Sequence, residues 1–173
     1  MQLIIETGKA IENANSYIGI VDVEKYMISK MYSDFIKLSE DDQIDSMVTA
    51  SLFIDSAFSW AGKQKTLEQG LSFPRTGIIF QDHIIPDDFI PMQVKRACVA
   101  AINLIMRFDI TFFTDTGEAQ IKKEKMVVFE TEYFENLKKC KDSSEFSDIN
   151  NILRGFYYFP VPTSVLTAEV LRK

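Results

Sequence analysis

Apolar residues recur along this chain at changing intervals, and each change marks a new element. Leu3-Ile4-Ile5 is a short strand-like run, followed by a polar, turn-prone stretch through Ser16. Val23, Tyr26, Met27, Lys30 and Met31 share one face of a helix expected over roughly 23–32, with Asp22 placed to cap it. Ser39 followed by Glu40, Asp41 and Asp42 is a stronger helix start. The hydroxyl can cap while three acids meet the positive end of the dipole. That helix should run to about Phe58, with Ile44, Met47, Val48, Ser51, Leu52, Asp55 and Phe58 in one sector of roughly 120°.

After Trp60 the periodicity breaks, and Gly62, Gly70, Pro74 and Gly77 punctuate the chain. Ile78-Ile79-Phe80 and His83-Ile84-Ile85 flank Gln81-Asp82, which reads as a small hairpin or irregular β-turn. Pro91 fits the first turn of a helix over about 91–108, whose inner side is Val94, Ala97, Cys98, Ala101, Ile102, Ile105 and Phe108. This helix is apolar almost all round, so it is expected at the centre. The signal weakens to a loop over 109–119. Over 121–134 the period becomes two, a strand pattern, and a short helix is expected near 134–139 before a loop at 142–144.

Two positions break the pattern. Asp55 sits in the apolar stripe, where an unpaired carboxylate is costly to desolvate. Either a cation meets it, forming a structural ion pair with Arg75 ahead of Lys63, or the helix turns Asp55 to the rim. Phe53 lies opposite the stripe, which calls for a second buried side supplied by another part of the fold or by a neighbouring subunit. The C-terminal residues Phe156, Tyr157, Tyr158 and Phe159, with Pro160, Pro162, Val165, Leu166 and Leu171, make the same suggestion more strongly, since a chain end so aromatic is expected to dock on something.

At 173 residues and 46% hydrophobic, the chain is long and apolar enough for one domain with a real core. The pattern gives a mainly α fold: a helical bundle with a small β-hairpin or strand element and an extended C-terminal tail. No apolar run is long enough for a membrane helix, and the first residues lack a basic-then-apolar export pattern. The formal net charge of −6 removes, on average, the Lys/Arg term that drives phosphate binding. Lys122, Lys123 and Lys125, and then Lys138, Lys139 and Lys141, are the densest basic groups, but interspersed glutamates make a solvated edge the better reading.

Candidate chemistry is sparse. The single histidine, His83, stands in a turn, and the two cysteines, Cys98 and Cys140, are far apart. They give no triad, no metal-ligand pair and no disulfide framework. The glycines are scattered rather than gathered into a phosphate loop. We therefore expect no catalytic, cofactor or metal site, and a protein that is not an enzyme.

Five short signatures in fixed order carry a further inference: Glu6-Thr7-Gly8, Asn13-Ala14-Asn15-Ser16-Tyr17, Phe58-Ser59-Trp60-Ala61-Gly62-Lys63, Phe73-Pro74-Arg75-Thr76-Gly77 and Ile90-Pro91-Met92-Gln93-Val94-Lys95. Together they resemble a family of small bacteriophage proteins labelled either head–tail adaptor (connector) or DnaT-like single-stranded DNA-binding. The adaptor resemblance implies one domain over 1–173, with an N-terminal arm at 1–21 and a C-terminal docking tail at 156–173. It implies a homo-oligomeric ring, typically of twelve, under the portal protein. Such a ring meets a tail or nozzle component and passes double-stranded DNA through its lumen without specific binding. The expected location is the head–tail interface of the virion, after synthesis in the host cytoplasm. The DnaT-like label implies instead a replication accessory that binds single strands.

Overall fold

The computed structural model describes residues 2–108 and 143–158. The expected loop at 109–119, strand at 121–134, helix near 134–139, both lysine clusters, Cys140 and the tail from Phe159 onward lie outside the described residues. The described part is mainly α, as the periodicity predicts. It has helices α1 (Ile20–Tyr26), α2 (Ser29–Phe35), α3 (Glu40–Ala57), α4 (Met92–Phe108) and α5 (Ser144–Leu153). Two small antiparallel sheets pair β1 (Lys63–Gln64) with β2 (Arg75–Thr76) and β3 (Ile79–Phe80) with β4 (His83–Ile84).

The expected first helix is two helices. Asp22 is not the cap: it occupies the third helical position and accepts from the Gly19 N–H at 3.3 Å, so α1 starts earlier, after Gly19. The chain leaves helical geometry at Met27, whose side chain is buried, and re-enters it at Ser29. For α3 the predicted start holds, since the Ser39 hydroxyl accepts from the Asp42 N–H at 3.2 Å. The hairpin also forms, with Gln81 and Asp82 both at positive φ (50° and 64°), as a tight two-residue connection between strands requires.

The centre is α4, which packs against α1, α3 and α5. Val94, Ala97, Cys98, Ala101 and Ile102 on it are wholly enclosed. Against them lie Tyr17, Phe35, Ile54, Phe73, Ile149, Leu153 and Phe156 in one continuous core. The buried face of α3 is rotated from the expected stripe, because Ala50, Phe53 and Ile54 are covered while Leu52 is 40% exposed. The cause is α5, where Phe146 meets Phe53 edge-to-face with ring centroids 6.1 Å apart. Ser143 caps α5 by accepting from the Phe146 N–H at 3.2 Å, and α5 presents Phe146, Ile149 and Leu153 inward.

The expected N-terminal arm at 1–21 is packed into the fold where it is described, and its last two residues open α1. Ile5 bridges to Ser16, and Glu6, Ala14, Ser16, Tyr17 and Ile18 are buried.

Candidate functional site

The five signatures are spent on the fold: they hold backbone groups, pack rings and tie helices. Glu6, only 1% exposed, is the centre of the first. Its carboxylate accepts from the N–H groups of Gly8 (2.8 Å), Lys9 (2.8 Å), Ala10 (3.1 Å) and Ile11 (2.7 Å). A loop with four inward N–H groups is an anion nest, and here the chain supplies its own anion. Gly8 has φ +97°, and a β-carbon there would come within 2.0 Å of the Asp88 carbonyl oxygen. The loop can therefore press directly on the 88–89 backbone only because this residue has no side chain.

The second signature joins that loop to α3. Asn15 Oδ1 accepts from the Ile4 N–H at 2.8 Å, while its amide donates to the Gln2 carbonyl at 2.9 Å. Ser51 Oγ accepts from the Tyr17 N–H at 3.0 Å and donates to the Met47 carbonyl at 3.0 Å, with the Ser16 hydroxyl beside it. The Tyr17 hydroxyl donates to Asp55 Oδ1 at 2.6 Å and accepts from the Phe73 N–H at 2.9 Å. Burial, and then the neighbouring carboxylate, push the Tyr17 phenol well above its ordinary range, so it remains a donor.

Asp55 does not form the ion pair expected with Arg75. Its second oxygen accepts from the Ser72 N–H at 2.7 Å, so two hydrogen bonds replace the cation. Burial raises the Asp55 pKa, with the Tyr17 and Ser72 hydrogen bonds and the more distant Arg75 charge opposing that shift. The Arg75 guanidinium is turned to three carbonyls instead: Ala61 at 2.7 Å, Gly62 at 2.9 Å and Ser72 at 3.1 Å. The reason is positional, because those carbonyls come from the segments that frame β1 and β2, and five guanidinium N–H groups suit several acceptors at once.

Aromatic contacts complete the lattice. Trp60 meets Phe73 edge-on at 4.9 Å, and Phe73 meets Tyr17 at 6.2 Å. Phe58 contacts Tyr157 at 4.8 Å, Phe80 stacks on Phe156 at 4.5 Å, and Trp60 bridges to Tyr157. Lys95, from the fifth signature, pairs with Asp22 at 3.2 Å and ties α4 to α1.

This placement corrects three of the expected interaction residues. Phe53 and Phe156 are buried in the chain's own core, and Tyr157 is half-buried against Phe58. The Phe156 carbonyl accepts from Ala61 and the Tyr158 N–H donates to Ser59, so 156–158 belong to the fold rather than to a docking tail. The sequence pattern could not separate burial by α5 from burial by a partner. Tyr158 alone among the described tail residues is exposed, and Phe159, Pro160, Pro162, Val165, Leu166 and Leu171 lie outside the described residues.

His83 is exposed on β4, across from Phe80. Cys98 is wholly enclosed, and burial pushes its thiol far above the range in which a thiolate forms. Among the described residues no group of three or more His, Cys, Asp or Glu is placed to hold a metal ion, and no helix is long and apolar enough to cross a membrane.

The sequence reading passed over two surface features. Leu67 is 98% exposed at the tip of the β1–β2 connection. Lys25 and Arg96 both lie against the Tyr26 ring, at 5.1 and 5.4 Å from its centroid. A lone Leu among polar loop residues has no period to reveal it, and Lys25 and Arg96 are far apart in sequence.

Fold and lattice together define a small, mainly helical protein whose most distinctive residues are structural. A family model described as "Putative DnaT-like ssDNA binding protein" matches residues 1–173, and the chain belongs to that family. No curated protein and no solved structure matches it.

Proposed function

We propose that this chain is a structural, non-enzymatic assembly protein of a bacteriophage particle, a head–tail adaptor. Its partners in this reading are copies of itself in a ring, typically of twelve, the portal protein, and a tail or nozzle component. Double-stranded DNA passes the lumen without specific binding, and the working location is the head–tail interface of the virion.

One observation carries the reading. Glu6, Asn15, Tyr17, Trp60 and Arg75 of the signatures are turned to the chain's own backbone and rings, while a chain of formal net charge −6 holds apolar side chains out on ordered backbone: Leu67, Ile79 and Ile84 are 98%, 65% and 77% exposed. Ile79 and Ile84 stand directly opposite each other across β3 and β4, so they form one patch. Such a surface favours protein partners over phosphate.

A second reading, a single-stranded DNA-binding accessory, is favoured by the family description and by the Lys25–Tyr26–Arg96 grouping. Native mass spectrometry of the purified chain with and without a portal ring, beside fluorescence anisotropy on an oligothymidylate, separates the two. Stoichiometric association with the portal and weak oligonucleotide binding are expected. Sub-micromolar, steeply salt-dependent DNA affinity without portal association would reverse the assignment.

A further inference from the structure

The connection between β1 and β2 is a braced loop with a bare tip. Gln69 is buried, and its side chain closes the loop from within. Its oxygen accepts from the Thr66 N–H at 3.0 Å, and its nitrogen donates to the Leu71 carbonyl at 2.7 Å and the Pro74 carbonyl at 3.1 Å. Lys65 reaches Asp87 at 3.7 Å from one side, and the Gly70 N–H donates to the Ile11 carbonyl at 3.0 Å on the other. Both ends are fixed, yet Leu67 is 98% exposed and Glu68 has no cation within ion-pair distance among the described residues. Ordering such a tip before any encounter removes much of the entropy that a floppy loop would lose on docking.

The complementary chemistry stands elsewhere on the same chain. Lys95–Asp22 and the Arg96–Tyr26 contact hold α1 and the start of α4 side by side. Val21 lies one turn before Lys25 on α1, and Met92 one turn before Arg96 on α4. Val21 and Met92 are 70% and 44% exposed, and Ile28, just past α1, is 69% exposed. Neither Lys25 nor Arg96 has a carboxylate within ion-pair distance among the described residues. Among the described residues, then, α1 and α4 present exposed apolar side chains beside two cations that meet a ring but no carboxylate, while the tip presents an apolar side chain beside a carboxylate that meets no cation.

From this match we infer that the Leu67–Glu68 tip of one copy docks on the α1–α4 patch of a second copy. Leu67 covers Val21, Ile28 and Met92, and Glu68 meets Lys25 and Arg96. This inference rests on the reading that the chain assembles with itself, and it names the contact. The hydrophobic part supplies affinity, and the charges fix orientation and partner choice.

Sedimentation equilibrium of the full chain over about 1–100 µM tests it, because self-association of this kind lies within that range of affinities. The wild type should associate. Leu67→Asp, and separately the pair Lys25→Glu with Arg96→Glu, should each raise the dissociation constant about tenfold or more. Adding Glu68→Lys to the Lys25→Glu/Arg96→Glu chain should restore association, which a folding defect would not allow. A wild type that stays monomeric throughout, a Leu67→Asp chain that associates normally, or a charge swap that fails to rescue folded protein would each overturn the inference. So would unchanged self-association in a Lys25→Glu/Arg96→Glu chain that has lost oligothymidylate binding, since the patch would then serve nucleic acid. Portal binding measured on the same variants reports on the adaptor reading separately. A chain that binds portal but associates normally without Leu67 keeps that reading and loses this contact.

Discussion

Replacing Asp55 by Ala should destabilise the protein by about 3 kcal/mol, a figure set by two donors left without an acceptor. The Tyr17 hydroxyl, on a fully enclosed side chain, and the Ser72 N–H both donate to this carboxylate. Each orphaned buried donor costs about 1–3 kcal/mol. Removing a carboxylate that burial already disfavours offsets part of that loss, as the raised Asp55 pKa indicates. Asp55→Asn should be milder, about 1–2 kcal/mol, because the amide oxygen can still accept from the Ser72 N–H and only the Tyr17 hydroxyl loses its acceptor.

The same group gives a pH signature with a definite sign. Its folded pKa is raised above the ordinary value of 3.8, so the native state holds the proton where the unfolded chain has released it. The stability from this group is fully present below that ordinary value and is lost as pH rises through the folded value. Urea unfolding of the wild type and Asp55→Asn should therefore show the wild type gaining relative to the variant as pH falls through that window. Asp55→Ala should couple strongly to Tyr17→Phe and nearly add with Arg75→Ala, since Arg75 is bonded elsewhere. A loss under about 1 kcal/mol for Asp55→Ala, stronger coupling to Arg75 than to Tyr17, or a pH-independent difference would refute the reasoning.

Glu6→Ala should cost more than a surface change, about 3–4 kcal/mol, because four N–H groups lose one acceptor while Glu6→Gln keeps part of the nest; thermal melts of both would check this. Gly8→Ala should prevent stable folding at ambient temperature, read by circular dichroism, because the new carbon meets the Asp88 carbonyl and sits at positive φ. Truncation after Gly155 removes the enclosed Phe156 and should lower the melting temperature sharply relative to truncation after Tyr158, read by circular dichroism.

What could be read from the sequence was what depends on local rules. The Ser39 cap, the hairpin at Gln81-Asp82 and the central helix after Pro91 each follow from a few adjacent residues. The first helix failed because Met27 is anchored by the core at a point where periodicity alone would continue the turn. The α3 face was misplaced for a related reason. Its hydrophobic side is decided by α5, and α5 went unrecognised although Ser143, Phe146, Ile149 and Leu153 stand at cap and helical spacing. Asp55 was recognised as needing a partner. Its neutral partners were missed because nothing local to Asp55 shows that Tyr17 and Ser72 arrive beside it, and an Arg in a nearby signature was the obvious counter-charge.

The neutral partners of Asp55 show what residues of this kind record. Glu6, Asn15, Tyr17, Trp60, Arg75 and Lys95 look like a dispersed polar site in one dimension, and in three they satisfy backbone groups, pack rings and tie helices. Such residues report on the fold, so family membership by itself fixes how this chain is built and leaves its partner to be decided on the surface. There the charged and apolar groups of the proposed contact, Leu67 with Glu68 and Lys25 with Arg96, lie outside the signatures, and Met92 alone of the contact comes from one. A partner-binding surface must differ between proteins that share a scaffold but meet different neighbours, whereas a buried carboxylate that accepts four N–H groups cannot change without losing the loop it holds.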